Sequence, residues 1–384
     1  MTLLDRYIAR QFAVNVAILT VILFAFVVTI DAAINMNRFA RIADEAGAVV
    51  TSAGEAVPPG AIRRGVITAL LIADLWWPRF FQLFGFLLGV LLVAGMGFTC
   101  AQMVHKREMV AVLASGQSLH RAWRPFLIVA LGLSALQVVN HEVVLPRIAP
   151  LLTRDHGQAG RRALGETRVP LLADSLGRRF YAERFDADSG TLEGLIVYEF
   201  DASGVASRRV SASRAVWRDG AWVCSPPAVS ASLLDRRAPI ESVTRIETDL
   251  DPTVIRARRF AGYAQNLSFA DVSQLIRLTR RLEGGTPDAE ANVARLERIR
   301  WGRFAVLASN LLALVICLPF FMMRVPGNMA VQALRAAPVA GAALLGGVLG
   351  SAAAIPGLPA VLAVFVPVMI LVPVAIATAS SVKT

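Results

Sequence analysis

Six stretches of this chain, 12–30, 84–103, 125–144, 304–323, 336–355 and 358–379, are each apolar over about twenty residues. An α-helix needs that length to cross the roughly 30 Å hydrocarbon core of a bilayer. Lipid offers no partner to a backbone N–H or C=O, so continuous apolar runs of this length are expected to fold as helices that bond internally. The sequence thus predicts six membrane-crossing helices. Composition agrees, since 55% of the 384 residues are hydrophobic, more than an ordinary soluble domain carries. Arg6 and Arg10 before the first run imitate a signal peptide. That run is longer than a signal h-region, and no small-x-small cleavage site follows closely, so a retained anchor is expected.

The interval between the third and fourth runs is long, polar and rich in arginine and aspartate. Within 191–200, Ile196, Tyr198 and Phe200 alternate with period two, as on one face of a strand, and 178–185 and 209–217 read similarly. Turn-forming clusters at 186–190, 201–204 and 218–220 separate them. Short strands at about ten-residue spacing suggest a sandwich or jelly roll. Beyond 267 the pattern turns helical, with Ser268 placed to cap and Val272, Leu275, Ile276 and Leu282 at helical spacing. The expected division is 1–146 for the first three spans, 147–267 for a β domain, and 268–384 for a helical connector and the last three spans.

Net charge is +11, carried by arginine apart from Lys106 and Lys383. Guanidinium binds phosphate in bidentate fashion, although a GC-rich genome enriches arginine too. By the positive-inside rule, Arg6, Arg10, Lys106, Arg107, Arg121, Arg124, Arg324, Arg335 and Lys383 place both termini in the cytoplasm and the β domain outside. Arg38, Arg41, Arg63 and Arg64 then form an outer surplus, partly balanced by Asp44, Glu45 and Glu55.

Several chemistries lack their residues. Neither lysine stands in a Gly-Lys-Ser/Thr context, so no nucleotide-binding P-loop exists in this chain. The run His141–Leu145 begins like a zinc-protease helix but has no second histidine. Cys100, Cys224 and Cys317 suggest neither a disulfide framework nor a metal site. Asn140, His141 and Glu142 read as an interfacial polar cap; a proton relay would need ionisable partners within the membrane, and none is obvious in the other spans. A chain with six spans and no engine takes its energy from elsewhere, and the charged, helix-compatible segment 106–118 (KREMVAVLASGQS) is where a partner could push.

Five motifs carry a family resemblance. LDRYIARQF (4–12), REMVAVLASGQS (107–118), NHEVVLPRIAP (140–150), VSASRAVWRDGAWV (210–223) and RIRWGRFAVLASNLLALVICLPFF (298–321) are similar, in order, to segments of the LptF/LptG permeases of lipopolysaccharide export. Two departures stand out. The second span lacks the family's outer proline, with Pro78 lying earlier, and the first outward loop, 34–66, is long and of low complexity. The resemblance implies an α-helical inner-membrane protein with six transmembrane helices and an inserted periplasmic β-jelly-roll-like domain. It also implies that the chain is not itself an enzyme and carries no cofactor, ATP being used by a partner ATPase. Its partners would be a second LptF/LptG-type permease, a cytoplasmic ABC ATPase dimer, a single-helix periplasmic accessory subunit, a jelly-roll bridge and lipopolysaccharide, with no nucleic acid.

Site residues follow from the same resemblance. Glu108, at the start of a coupling helix and flanked by Arg107, Ser115 and Gly116, would engage the ATPase. Val110 and Leu113 would supply a small apolar face, and Gly116 suits a helix stop. Arg38 and Arg41, three apart, share a face if the first helix runs on past residue 30. With Arg63, Arg64 and Arg79 they would meet lipid phosphates, a solvated basic surface being the competing reading. Trp76, Trp77, Phe80 and Phe81 fit an interfacial belt first and acyl-chain contact second. Gly341, Gly346 and Gly350 permit close helix approach at a lateral gate, or ordinary packing within the bundle. Two rival classes remain: a membrane-anchored receptor or scaffold with a periplasmic β sensor, and an ion-driven secondary transporter.

Overall fold

The structure, a computed structural model, describes residues 3–50, 56–57, 60–114, 118–152, 154, 156, 166–174, 176–186, 189–201, 204–235, 239–252, 254–255, 264–283, 287–322 and 328–380. Six helices are long and apolar enough to cross a membrane. They are α1 (Leu3–Gly47), α2 (Ala61–His105), α4 (Leu119–Val139) with its continuation, α7 (Pro287–Phe321), α8 (Met329–Ala352) and α9 (Ala360–Ser380). A short α3 (Glu108–Ala114) joins α2 to α4. One π turn (Asn140–Val144) leads α4 into α5 (Leu145–Leu152). The chain divides into two compact units, residues 1–160 with 294–384, and residues 161–293.

In the first unit the apolar runs become helices that pack on one another. Ile8, Phe12 and Val16 of α1, Leu92 and Met96 of α2 and Phe126 of α4 are buried in a common core with α7 and α8. The outward loop expected at 34–66 is mostly helix. At 45 residues each, α1 and α2 extend for about 67 Å, twice the thickness of a bilayer core. Phe39 and Ala43 of α1 bury against Leu71, Leu75 and Trp76 of α2, a second core that lets both helices run on. The strands β1 (Val49–Val50) and β2 (Ala56–Val57) pair between them.

The second unit is built on a six-stranded antiparallel sheet. Its strands β3 (Glu166–Ala173), β4 (Arg179–Asp186), β5 (Thr191–Phe200), β6 (Ala206–Arg218), β7 (Ala221–Ser232) and β8 (Glu241–Glu247) lie side by side in chain order. The strands expected at 178–185, 191–200 and 209–217 are β4, β5 and β6. Asp219 and Gly220 make the two-residue turn between β6 and β7, both with positive φ (48° and 76°), the conformation a tight hairpin demands. Trp222 is fully buried, stacks edge-on against Trp217 and donates its Nε1–H to the Leu250 carbonyl at 2.9 Å. Helix α6 (Phe269–Glu283) follows. Its first turn is closed reciprocally: the Asp271 N–H donates to Ser268 Oγ and the Ser268 N–H to the Asp271 carboxylate.

Candidate functional site

Helix α2 stops at His105, where the Lys106 N–H bonds back to Gln102 and the Arg107 N–H to Val104. Arg107 has φ +60°, the left-handed region that costs an L-residue about 1–2 kcal/mol. That turn reverses the chain and begins α3 at Glu108. The Tyr7 hydroxyl, from α1, donates to Glu108 Oε1 at 2.9 Å. The other carboxylate oxygen, Oε2, is buried and has no hydrogen-bond partner among the described residues. Leu4, Tyr7, Met103, Glu108, Ala111 and Val112 line a groove of about 400 Å³ beside it. Met109 and Val112 point inward, while Val110 is exposed. Lys106 and Arg107 are exposed. The turn thus offers a half-satisfied carboxylate in an apolar groove with basic flanks, an acceptor for a cationic or N–H donor from outside the chain. Ser115 and Gly116 lie outside the described residues.

The predicted phosphate-binding arginines separate into two groups. Arg38 and Arg41 are exposed on the far part of α1, and Arg63 and Arg64 are exposed on the first turn of α2. The antiparallel packing brings these two helix ends together, and Arg64 pairs with Asp44 at 2.8 Å. Arg79 belongs elsewhere. Its guanidinium lies 5.4 Å from the Trp76 ring centroid and donates to the Arg154 carbonyl at 3.0 Å.

That second place is a polar cluster the sequence reading missed. Asp31 accepts from Trp76 Nε1 at 2.9 Å and Asn35 Nδ2 at 2.9 Å, and His156 Nε2 lies 3.0 and 3.1 Å from its two oxygens. Arg154, largely buried, pairs with Asp74 at 2.9 Å. These bonds fasten the chain after α5 to the α1–α2 hairpin. The available signal was Asp31 itself, an acid immediately following the first apolar run. The aromatic segment divides accordingly: Trp76 is buried against Phe24 of α1, whereas Trp77 is about half exposed.

The polar cap after the third span is also bonded inward. Asn140 Nδ2 donates to the Phe81 carbonyl at 2.8 Å, and Glu142 pairs at 3.4 Å with Arg303, a largely buried side chain at the start of the fourth span. Arg303 lies one residue before the run 304–323, so this pair sits at the edge of the span rather than in its core. The three glycines of α8 also differ from one another. A Cβ at Gly341 or Gly346 would meet nothing, whereas one at Gly350 would overlap the Pro367 ring of α9. Gly341 borders an apolar cavity of about 520 Å³ between α2 and α8. Gly346 and Gly350 line a smaller groove against α9.

A family model described as lipopolysaccharide export system permease LptF/LptG matches residues 67–380. The chain belongs to the LptF/LptG family. The match begins inside α2 and takes in the Glu108 turn, the sheet and the last three apolar helices; α1 precedes it. No curated protein matches the chain. This LptF/LptG permease is therefore a multi-pass transport protein of the lipopolysaccharide export system rather than an enzyme.

Proposed function

We propose that this permease is one half of an ABC-type exporter, paired with a second LptF/LptG-type permease and driven by a separate cytoplasmic ATPase dimer. The Glu108 turn is the docking point. The observation that carries this reading is the buried Glu108 Oε2, without a hydrogen-bond partner among the described residues, beside an apolar groove. A buried acceptor left unmade costs about 1–3 kcal/mol, more when charged, so a donor from the ATPase would complete it. The chain would need no cofactor of its own, since ATP is used by the partner.

In this reading the protein sits in the bacterial inner membrane with both termini and the Glu108 turn in the cytoplasm. The sheet lies in the periplasm, where a single-helix accessory subunit and a jelly-roll bridge would receive the lipid. The exposed ends of α1 and α2, with Arg38, Arg41, Arg63 and Arg64, suit the phosphates of lipopolysaccharide. Arg79, committed to Trp76 and Arg154, would act there only indirectly. Gly341 and Gly346, open on α8, would serve the lateral gate, and Gly350 would set its spacing against α9.

Glu108→Ala in the reconstituted exporter tests the proposal. Lipopolysaccharide release should fall by about tenfold or more, as expected for loss of one charge-assisted bond, while the ATPase continues to hydrolyse ATP. Undiminished ATPase binding and lipid release in that variant would remove the assignment.

A further inference from the structure

Three polar side chains of α1, Tyr7, Gln11 and Asn15, recur at every fourth residue and therefore form one stripe along the helix. Each bonds to α2 or α3. Tyr7 donates to Glu108 (2.9 Å), Gln11 Nε2 to Gln102 Oε1 (2.8 Å), and Asn15 Nδ2 to Thr99 Oγ1 (2.9 Å) and Gln102 Oε1 (3.2 Å). The Thr99 proton is committed to the Gly95 carbonyl at 2.7 Å, so Thr99 can only accept from Asn15. Asn15 and Thr99 are both buried. Beside this stripe runs an apolar one, Ile8, Phe12 and Val16, also buried. It seats against Gly95, where a Cβ would come within 2.6 Å of Val16.

Apolar side chains slide past one another at small cost. A buried hydrogen bond between helices does not: at Asn15–Thr99 a shift of one residue would leave a donor unpaired out of water, and the exposed Tyr7 and Gln11 bonds continue the same register toward the turn. The ladder therefore fixes α1 in one axial register against the α2–α3 turn. Helix α1 has neither proline nor glycine before its last residue, the usual sites of kinking. From Tyr7 to Arg41 it measures about 50 Å. A displacement at Glu108 would reach the arginine-bearing end with little loss.

We propose that Tyr7, Gln11 and Asn15 are positioning residues that lock α1 to the Glu108 turn, so that motion of the turn is delivered along α1 to the lipid-facing end. This rests on the proposed docking of an ATPase at Glu108. The test compares wild type, Gln11→Leu, Asn15→Leu, their double variant and Glu108→Ala in reconstituted exporter, reading ATPase co-purification, hydrolysis rate and lipid released per ATP hydrolysed.

The double variant is expected to assemble and hydrolyse ATP as wild type, with lipid per ATP reduced about fivefold or more. The exchange Asn15→Thr with Thr99→Asn, which keeps a bond at that rung, should restore most of the loss caused by Asn15→Leu. Gln11 is only partly buried, so Gln11→Leu guards against misfolding and should lower the ratio about twofold by itself. A wild-type ratio in Gln11→Leu and the double variant overturns the proposal, as does loss of assembly in the double with a wild-type ratio in Gln11→Leu. If Glu108→Ala exports normally, the docking reading fails first and this inference falls with it. If Glu108→Ala uncouples while the ladder variants do not, only the ladder is refuted.

Discussion

Gly350 and Gly341 are alike in sequence, both in a glycine- and alanine-rich helix, yet the structure gives them opposite surroundings. A methyl group at Gly350 would occupy the position of the Pro367 ring, and one at Gly341 would stand in open space. Overpacking of that kind typically costs about 1–3 kcal/mol, because proline cannot move aside. Gly350→Ala should therefore lower the thermal unfolding midpoint of the detergent-solubilised permease measurably. Gly341→Ala should stay within about 0.5 kcal/mol of wild type. Equal midpoints for the two would show that α8 and α9 do not pack at Gly350. A stripe of small residues was legible in the sequence; which glycine faces a neighbour was not, since that depends on the rotation of α8 against helices tens of residues away. Glu108 shows the same limit. Its place at a helix start was readable, but its bond to Tyr7, 101 residues apart, was not.

At the scale of elements, hydropathy located the six crossing helices, because a bilayer-length apolar run admits few other structures. It fell short on length. Scanning for twenty apolar residues ends the first helix near residue 30, yet α1 continues to Gly47. Beyond residue 30 only one face is apolar, and that face is matched by α2 rather than by lipid. Three of the six described strands, β4, β5 and β6, were readable for a related reason: their alternation is local, and Asp219–Gly220 announces its own hairpin. The Asp31–His156 contact was invisible, since its partners lie 125 residues apart. If that contact fastens the chain after α5 to the α1–α2 hairpin, Asp31→Ala and His156→Ala should not be additive. A double-mutant cycle on thermal stability should return a coupling of about 0.5–3 kcal/mol, the range for residues in contact. Additivity within about 0.3 kcal/mol would mean the two side chains do not interact in solution.

For the whole molecule, an ATPase can act on the Glu108 turn only if that turn faces the cytoplasm. The case is electrostatic: Arg6, Arg10, Lys106, Arg107, Arg121 and Arg124 fall on one side of the first three spans, and short basic loops stay cytoplasmic. The opposing surplus at the far end of α1 and α2 is reduced where Asp44 neutralises Arg64. Thiol labelling in whole cells can decide the matter, because the native thiols should be nearly silent. Cys100 and Cys317 are fully buried. Cys224 is buried in β7, and that burial pushes its thiol pKa up, leaving less of the reactive thiolate near neutral pH. Single cysteines placed at two exposed serines, Ser118 beside the Glu108 turn and Ser213 on β6, would then report alone. Ser213→Cys should react with a membrane-impermeant maleimide once the outer membrane is opened, and Ser118→Cys only after the inner membrane is permeabilised. The reverse pattern would put Glu108 on the side without ATP, and no ATPase could then push the turn on which α1 is registered.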